Sequence, residues 1–340
     1  MIGERKELGN LVGSMNMNKR FKKDELIKLI EELNLEKCDF TLLSSSGLVF
    51  RGIMDDAGDL DIAVTKNGFD KLSKKFDLKA KGNDFYTVND SVECIVDDKE
   101  GIKELVDNVY VQDIYNYLEY LESSSREKDK LRIPMVLNYI RVNMQYQNIS
   151  KQNEVFINIL KKNTNLMKVL EFIDNLNLPN YYIAAGSVFQ TIWNYYDNID
   201  LNNNIKDIDV IYYDNTDLEV DKDINLYHKI KEYCIKEQLN YDIDVSNEAR
   251  MHIWKKEHEN VNINQYKNSE DAMNHWIATT HAIGITKINN KIQVYAPFGL
   301  SDIFSKTVRP IKHKYNNKEL YNKKTSSWNN RFDNLNIVEW

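Results

Sequence analysis

The chain has 340 residues and a mass of 40.0 kDa, and 42% of its residues are hydrophobic, enough to bury a core in each of two ordinary domains. The formal net charge of −7 excludes the general attraction for nucleic acids and anionic membranes that a basic surface provides. The three cysteines follow no metal-ligand or disulfide spacing, and we find neither a signal-peptide pattern nor an apolar run of about 18 residues, so we expect a cytoplasmic protein without a membrane span.

The first half of the sequence combines an amphipathic pattern with several short strand patterns. Leu26, Ile30 and Leu33 recur at helical spacing, which predicts a helix over residues 22–35. After it we predict a strand, a small-residue turn into a short helix, and two further strands, at residues 40–43, 44–52, 59–64 and 92–96.

A polar stretch separates the two halves. Helical patterns occupy residues 111–140, and the chain is then polar from Tyr146 to Glu154. Because polar stretches without periodicity are typical of connecting segments, we place a domain boundary there. The predicted domains are residues 1–148 and 149–340.

The second half repeats the order of elements seen in the first. We predict a helix, a strand, a helix, a strand, a helix and a strand, at residues 166–176, 181–185, 186–196, 207–213, 228–238 and 241–245. In each half a small-residue turn, a helix, a strand with an Asp-x-Asp pattern and a later strand with another acid follow one another. This order indicates a weak internal repeat.

The Asp-x-Asp pattern in the second half suggests a shared cation. Side chains alternate along a strand, so Asp207 and Asp209 point to the same side, roughly 6.6 Å apart for a rise of about 3.3 Å per residue. Two carboxylates this close repel each other, and a divalent metal with oxygen ligands removes that repulsion. With Asp244 from a later strand, they predict a site for Mg²⁺ or Mn²⁺.

The turn before the second predicted helix of this half can hold phosphates. Gly186 lets the backbone approach closely, Ser187 offers a hydroxyl group, and free N–H groups at a helix start bind anions. Taken singly, an Asp-x-Asp pattern is usually a solvated strand end and a Gly-Ser pair a helix cap. Their ordered combination favours a site for a metal and a nucleotide.

Several longer blocks stand in order in the second half: IAAGSVFQTIWN, DIDVIYYD, DIDVSNEARMHIW, NSEDAMNHW, TTHAIGI, VYAPFGLSDIF and VRP. In these blocks residues 166–340 resemble the bacterial nucleotidyltransferase-like family of the DNA polymerase β superfold. The resemblance implies an α+β fold with mixed sheets flanked by helices. It also implies that Gly186 and Ser187 lie at the nucleotide phosphates.

The same resemblance implies the remaining site residues of the second half. The metal-binding and catalytic residues are expected to be Asp207, Asp209 and Asp244. Further nucleotide-binding residues are expected in the NxARxH-like block, namely Asn247, Arg250 and His252, with Glu248 where glutamine is common. From the residues alone, an alternative is that Asn247 caps a helix and Arg250 pairs with a surface acid.

The first half resembles a minimal nucleotidyltransferase domain more loosely, through SSSGLVFRG, DAGDLDIAV and REKDK. Ser45 replaces the glycine of the Gly-Ser pair, and the third acid is a glutamate. The resemblance implies a possible second site, composed of Ser46, Asp59, Asp61 and Glu93. Metal binding is possible there, and catalysis is left open.

Together these features predict two tandem polymerase-β-like nucleotidyltransferase folds. The second is expected to transfer a nucleoside monophosphate from an NTP to a hydroxyl acceptor, which is a small molecule, a protein or an RNA end, with release of pyrophosphate. The alternatives are a non-catalytic nucleotide-sensing or partner-binding module and a glycosyltransferase with an Asp-x-Asp metal site. We interpret Trp193, Trp254 and Trp276 as core residues, and the basic segment that starts at Lys312 as a solvated helix face or an anion contact.

Overall fold

The computed structural model describes residues 19–97 and 101–340. The described chain forms two compact units, of which the first ends at Arg132 and the second is Ile133–Trp340. This division precedes the boundary predicted after residue 148. The polar stretch around that residue is the start of a helix, because the side chain of Asn148 caps it by accepting a hydrogen bond from the Lys151 N–H group.

In the first unit, short helices surround a mixed sheet. The helices are α1 (Lys23–Leu33), α2 (Ser44–Phe50), α3 (Lys66–Lys75), α4 (Ile114–Ser123) and α5 (Glu127–Lys130). The strands are β1 (Phe21–Lys22), β2 (Phe40–Leu42), β3 (Asp56–Ala57), β4 (Leu60–Val64), β5 (Lys79–Gly82), β6 (Phe85–Asn89), β7 (Val92–Val96), β8 (Lys103–Val106) and β9 (Val109–Gln112). Seven strands form one sheet in the order β5-β6-β7-β4-β2-β9-β8.

Two hairpins of this sheet were not predicted. The turns between β5 and β6 and between β8 and β9 each place two consecutive Asn or Asp residues at positive φ, as two-residue hairpin turns require. These residues are Asn83 and Asp84, and Asp107 and Asn108. The helix predicted to start at residue 111 starts at Ile114 instead. Residues 111 and 112 belong to strand β9, because the hairpin pairs them with β8.

The second unit has the same kind of architecture. Its helices are α6 (Ile133–Met144), α7 (Ile149–Lys162), α8 (Thr164–Asp174), α9 (Gly186–Tyr196), α10 (Val220–Lys236), α11 (Met251–His258), α12 (Ser269–Met273), α13 (Ser301–Phe304) and α14 (Lys318–Asn329). Its strands are β10 (Tyr182–Ala184), β11 (Asp207–Tyr212), β12 (Asp242–Asn247), β13 (Gly284–Ile288), β14 (Lys291–Tyr295), β15 (Thr307–Val308) and β16 (Asn336–Ile337). Five strands form a sheet in the order β12-β11-β10-β13-β14. The predicted α+β class with mixed sheets is confirmed.

The central strands of the two units are arranged alike. In each, a short strand pairs antiparallel with the Asp-x-Asp strand, which pairs parallel with the strand that carries the third acid. The parallel pairing sets Asp61 opposite Glu93 in the first unit and Asp209 opposite Asp244 in the second. The internal repeat seen in the sequence therefore corresponds to a repeated arrangement of strands.

Of the three tryptophans predicted to be core residues, Trp193 is fully buried. Its indole N–H group donates a hydrogen bond to the Ile303 carbonyl oxygen at 3.0 Å. Trp254 is 37% exposed and lines a cavity, so the prediction that it is a core residue is wrong. Trp276 is partly buried, packs against the buried cluster that includes Tyr182 and Met273, and also lines a second cavity. Across residues 19–97 and 101–340, the helices include none that combines the length and apolar character needed to cross a bilayer.

Candidate functional site

Two parallel strands carry acids on one face of the second sheet. Alternation along β11 points Asp207 and Asp209 to the same side. The register of β11 and β12 pairs Asp209 with Asp244, and residues paired in this way across parallel strands share a face. The three predicted acids therefore lie on one face, near the edge of the sheet that β12 forms.

The acids influence one another electrostatically. Burial, together with the charges of Asp207 and Asp244, raises the pKa of the Asp209 carboxyl group to about 7. The charge of Lys324 and a backbone hydrogen bond from Gly186 act in the opposite direction. Burial and the charge of Asp207 also raise the pKa of Asp244. The ionised state of this cluster therefore requires positive charge nearby.

This donor set fits a divalent cation. Hard cations such as Mg²⁺ prefer carboxylate oxygens and offset their repulsion. The three carboxylates of the second sheet are not all within 4.8 Å of one another, so they do not converge as closely as predicted, and two of them are on exposed residues that can turn outward. Within the described parts of the chain, the group of acids that reaches this closeness is Asp59, Asp61 and Glu93.

A cleft of about 340 Å³ lies over Asp207 and Asp209, and we call it the acidic cleft. Its chemistry combines acids, cations and aromatic rings around the turn before α9. The acids are Asp207, Asp209 and Glu248, the cations Lys206, Lys324 and Arg331, the rings Trp276, His281 and Trp328, and the turn residues Ala185 and Gly186. A negatively charged molecule with a flat ring can contact the cations and the rings, and a divalent cation can join it to the acids.

The turn before α9 is held in a rarely adopted conformation. Ala185 has a φ of 54°, and Ser44, at the corresponding turn of the first unit, has a φ of 48°. Positive φ in residues with a side chain is costly and concentrates at functional sites. The Ser187 hydroxyl group is buried and donates to the Ala184 carbonyl oxygen at 3.3 Å. The hydroxyl group therefore points toward the backbone, whereas the backbone at Gly186 lines the cleft, and the contact of Ser187 with phosphates stays a prediction.

The corresponding serine of the first unit behaves in the same way. The Ser46 hydroxyl group donates to the carbonyl oxygens of Leu43, at 2.7 Å, and Asp61, at 3.2 Å. It is fully buried. Ser46 therefore joins the turn to the neighbouring strand instead of facing a ligand, which corrects its predicted role.

The three residues of the NxARxH-like block that were predicted to bind nucleotide, Asn247, Arg250 and His252, lie outside the acidic cleft. Asn247 is buried and caps the following turn by accepting from the Ala249 N–H group at 3.1 Å. The Arg250 guanidinium group donates to the Leu218 carbonyl oxygen at 3.2 Å and lies 3.5 Å from the Asp223 carboxylate. These contacts agree with the alternative of a cap and an ion pair, and the predicted nucleotide contacts of Asn247 and Arg250 are absent from the lining of this cleft.

His252 is also outside that lining. Its Nδ1 atom is buried and has no hydrogen-bond partner among the described residues. The sequence resemblance assigned it to nucleotide binding, and the structure gives it no contact with the acids of β11.

Several cleft residues were missed from the sequence. Lys324 and Arg331 come from α14 and the turn after it, more than a hundred residues beyond Asp207 and Asp209 along the chain. Lys324 is the last residue of the basic segment that starts at Lys312, so the suggestion of an anion contact in that segment pointed to it. The His281 ring contacts those of Trp276 and Trp328 in tilted arrangements, and burial lowers its pKa to about 3, so its ring is neutral.

Glu248 is the third acid of the cleft, and it is 3% exposed. Burial, together with the charges of Asp244 and Asp209, raises its pKa to about 8. Glu248 is therefore mostly protonated at neutral pH and can donate a hydrogen bond as a neutral carboxylic acid.

The first unit contains a second acidic cleft, of about 490 Å³, which we call the N-terminal cleft. Its acids are the close group Asp59, Asp61 and Glu93. Burial, together with the negative charges of Asp59 and Glu93, raises the pKa of the Asp61 carboxyl group to about 6. The Lys81 ammonium group contacts the Glu93 carboxylate. Cationic and aromatic side chains also line this cleft, namely Arg126, Lys128, Tyr117 and Tyr120.

Comparison with known proteins agrees with the chemistry of the acidic cleft. No curated protein matches the chain. A solved structure described as revealing a CCA-adding enzyme head domain aligns at 28% identity with a TM-score of 0.44, covering 52% of this chain and 90% of that chain. The family model described as Nucleotidyltransferase matches residues 171–337, which include all residues of the acidic cleft. Residues 171–337 are therefore similar to the nucleotidyltransferase family.

Proposed function

We propose that the second unit transfers a nucleoside monophosphate from an NTP to a hydroxyl group and releases pyrophosphate, with a divalent metal such as Mg²⁺ or Mn²⁺. The observation that carries this proposal is the joining, in one cleft, of carboxylates on β11 with three cations and three aromatic rings. Acids alone fit a metal, and cations alone fit a phosphate. Their combination with rings fits a metal-bound nucleotide.

Each part of the cleft has a role in this proposal. Lys206, Lys324 and Arg331 bind the phosphate oxygens, and the backbone at Gly186 approaches them closely. The base lies against the wall formed by Trp276 and the neighbouring rings. This wall consists of aromatic rings, and its histidine, His281, is neutral. It therefore suits a flat, uncharged base.

The acids hold the metal and receive a proton. Asp207, Asp209 and Asp244 are the residues that would hold Mg²⁺ or Mn²⁺. When bound, such a metal neutralises charge that develops on the transferred phosphoryl group. Asp244, whose pKa burial raises, accepts the proton of the attacking hydroxyl group.

Calorimetric titration with Mg·ATP and Mg·GTP tests the nucleotide part of the proposal. We expect heat of binding with at least one of them, and incorporation of α-phosphate label into an acceptor when cell extract is added. Binding without any incorporation would favour the alternative, a non-catalytic nucleotide-sensing module. No binding of any NTP would refute both and leave only a partner-binding module.

Replacing Lys324 tests the phosphate contact. Its charge acts on both Asp209 and Asp244, so it lies close to the acids. We expect Lys324→Met to raise the Kd of Mg·ATP about tenfold, the loss of one charge-assisted contact worth about 1.4 kcal/mol. Lys323→Met is the matched control, because Lys323 is the exposed neighbour outside the cleft. If both changes raise the Kd of Mg·ATP equally, the effect comes from the overall charge of the surface and not from a contact between Lys324 and the phosphates.

The close acids of the first unit support a second metal site. We propose that Asp59, Asp61 and Glu93 bind a divalent cation in competition with the Lys81 ammonium group. Titration with Mn²⁺, followed by electron paramagnetic resonance of the free ion, measures the number of ions bound per chain. We expect Asp61→Asn to lower that number without removing all binding, and the double change Asp61→Asn with Asp209→Asn to remove it. An unchanged number in Asp61→Asn would contradict a site in the first unit.

A further inference from the structure

A second cavity of the same unit adjoins the acids of the β12 edge. It has a volume of about 450 Å³, and we call it the side pocket. Strand β12 forms one wall, and helices α10 and α11 form the others. Because β12 is the edge strand of its sheet, the pocket lies beside the sheet instead of over its face.

The side pocket and the acidic cleft meet at β12. Asp244 lines the side pocket, and Ser246, two residues further along the strand, lines both cavities. The cleft carries Asp207 and Asp209, and the charge of Asp207 reaches Asp244. A molecule in the side pocket therefore lies next to the same group of acids as a molecule in the cleft, but in a cavity of its own.

Most of the side-pocket wall is apolar and accessible. Val220, Ile224 and Tyr227 recur at helical spacing on α10 and are 43%, 46% and 36% exposed. Trp254 on α11 faces the same cavity and is 37% exposed. Apolar side chains that line a concave cavity of this size are typical of small-molecule sites.

Among the described residues, the cation in the lining of the side pocket is Arg250, and it is already paired. The Arg250 guanidinium group lies 3.5 Å from the Asp223 carboxylate, which also accepts a hydrogen bond of 2.6 Å from the Tyr212 hydroxyl group. Arg250 donates as well to the Leu218 carbonyl oxygen. With Asp244 added, the charged lining is negative, which disfavours a phosphate or a nucleic acid end.

We propose that the side pocket is the acceptor site and takes a small alcohol whose uncharged, apolar or aromatic body packs against Ile224, Tyr227 and Trp254. This inference rests on the function proposed above. The acceptor oxygen forms a bond to the α-phosphorus of the NTP, and the bond between that phosphorus and the oxygen bridging to the β-phosphate breaks. Pyrophosphate leaves, and the proton of the alcohol passes to the Asp244 carboxylate.

Saturation-transfer-difference NMR with the full chain tests the pocket directly. The probes are 2-phenylethanol and cyclohexylmethanol as uncharged alcohols and ribose 5-phosphate as a charged one. Ile224→Lys places a charge in the pocket, whereas Ile235→Lys is the matched control, because Ile235 is 68% exposed on the same helix, about 16 Å further along and outside the lining. The thermal shift given by Mg·ATP is measured on every variant.

We expect both uncharged alcohols to bind the unchanged protein and Ile235→Lys, and to bind at least about tenfold more weakly to Ile224→Lys. The Mg·ATP shift should be equal in all three. Equal alcohol binding by Ile224→Lys and the control, or binding of ribose 5-phosphate alone, would overturn the inference. A missing Mg·ATP shift in the unchanged protein would instead refute the proposed function, and the acceptor role with it.

Labelling in extract provides a second measurement. With α-labelled NTP, we expect the label in the small-molecule fraction and at least about tenfold less of it with Ile224→Lys. Label recovered in RNA or in protein would overturn the inference while leaving nucleotidyl transfer intact.

Discussion

Asp209→Asn should lower nucleotidyl transfer by at least about a hundredfold and, at the same time, stabilise the fold at alkaline pH. An asparagine keeps the size of the side chain and can still accept the Gly186 backbone hydrogen bond. It removes the charge that a metal needs, and the loss of one electrostatic contribution of this kind costs about a hundredfold or more. Activity and stability are expected to move in opposite directions because the site concentrates negative charge.

The gain in stability follows from the raised pKa of Asp209. In the folded chain this pKa is about 7, against a reference value of 3.8. Below pH 4 the carboxyl group is protonated in both folded and unfolded chains, so it contributes no difference. As the pH rises from about 4 to 7, the unfolded chain ionises first and the free energy of unfolding falls, by up to about 4 kcal/mol. Asp209→Asn lacks this penalty.

Urea denaturation at pH 5 and pH 8, in the presence of EDTA, measures the effect on stability. We expect Asp209→Asn to exceed the unchanged protein in free energy of unfolding at pH 8 and to differ less at pH 5. Added Mg²⁺ should reduce the difference, because it neutralises the carboxylate of the unchanged protein. Lower stability of Asp209→Asn at pH 8 would contradict the electrostatic origin of the raised pKa.

Asp61→Asn is the matched change in the first unit. We expect it to leave most of the transfer activity and to alter stability, regulation or acceptor binding, because Glu93 is longer than the aspartate at the corresponding place and Ser45 replaces the glycine of the turn. Equal losses in Asp61→Asn and Asp209→Asn would mean that both units are catalytic. A loss confined to Asp61→Asn would assign catalysis to the first unit, whose acids lie closer together.

Glu248→Gln should also stabilise the protein, in a higher pH range. The folded pKa of Glu248 is about 8, against a reference value of 4.5. Between these values the unfolded chain is ionised and the folded chain is not, so the free energy of unfolding falls as the pH rises from about 4.5 to 8. The full penalty above pH 8 is on the order of 5 kcal/mol. A glutamine occupies the same volume without titrating.

Thermal denaturation between pH 5 and pH 9 distinguishes this effect from that of a surface charge. We expect the Tm of Glu248→Gln to match the unchanged protein near pH 5 and to exceed it increasingly up to pH 9. Glu257→Gln, at an exposed position of α11, is the control and should follow the unchanged protein throughout. If Glu248→Gln shows no pH-dependent gain, the carboxyl group is ionised and paired in a way that the buried cleft does not explain.

The two Asp-x-Asp strands could be located from the sequence. Alternation of polar and apolar residues is a local property, so DIDVIYY already determined that Asp207 and Asp209 share a face. Asp244 was expected on another strand as the third acid, whereas the parallel pairing that sets it opposite Asp209 is known only from the register of the sheet. The hairpin turns had a local signal too, in the consecutive Asn and Asp residues that adopt positive φ. The helical pattern that starts at residue 111 nevertheless concealed strand β9, which follows the second turn.

Other properties of the site depend on contacts between residues far apart in the chain. Packing of Trp328 on α14 against Phe189 on α9 brings Lys324 and Arg331 to the acids, and no local pattern encodes that approach. The inward turn of the Ser187 hydroxyl group depends on its hydrogen bond to Ala184, which the Gly-Ser motif does not reveal.

The sequence by itself determined which strands carry carboxylates and on which face they lie, because side-chain alternation depends only on neighbouring residues. The tertiary structure decided what surrounds those carboxylates. Burial depends on elements packed from distant parts of the chain, and it raises the pKa of Asp209 to about 7 and that of Glu248 to about 8. The same packing forms two cavities, the acidic cleft and the side pocket, which share Ser246 in their lining. These cavities are the proposed places of the nucleotide and the acceptor.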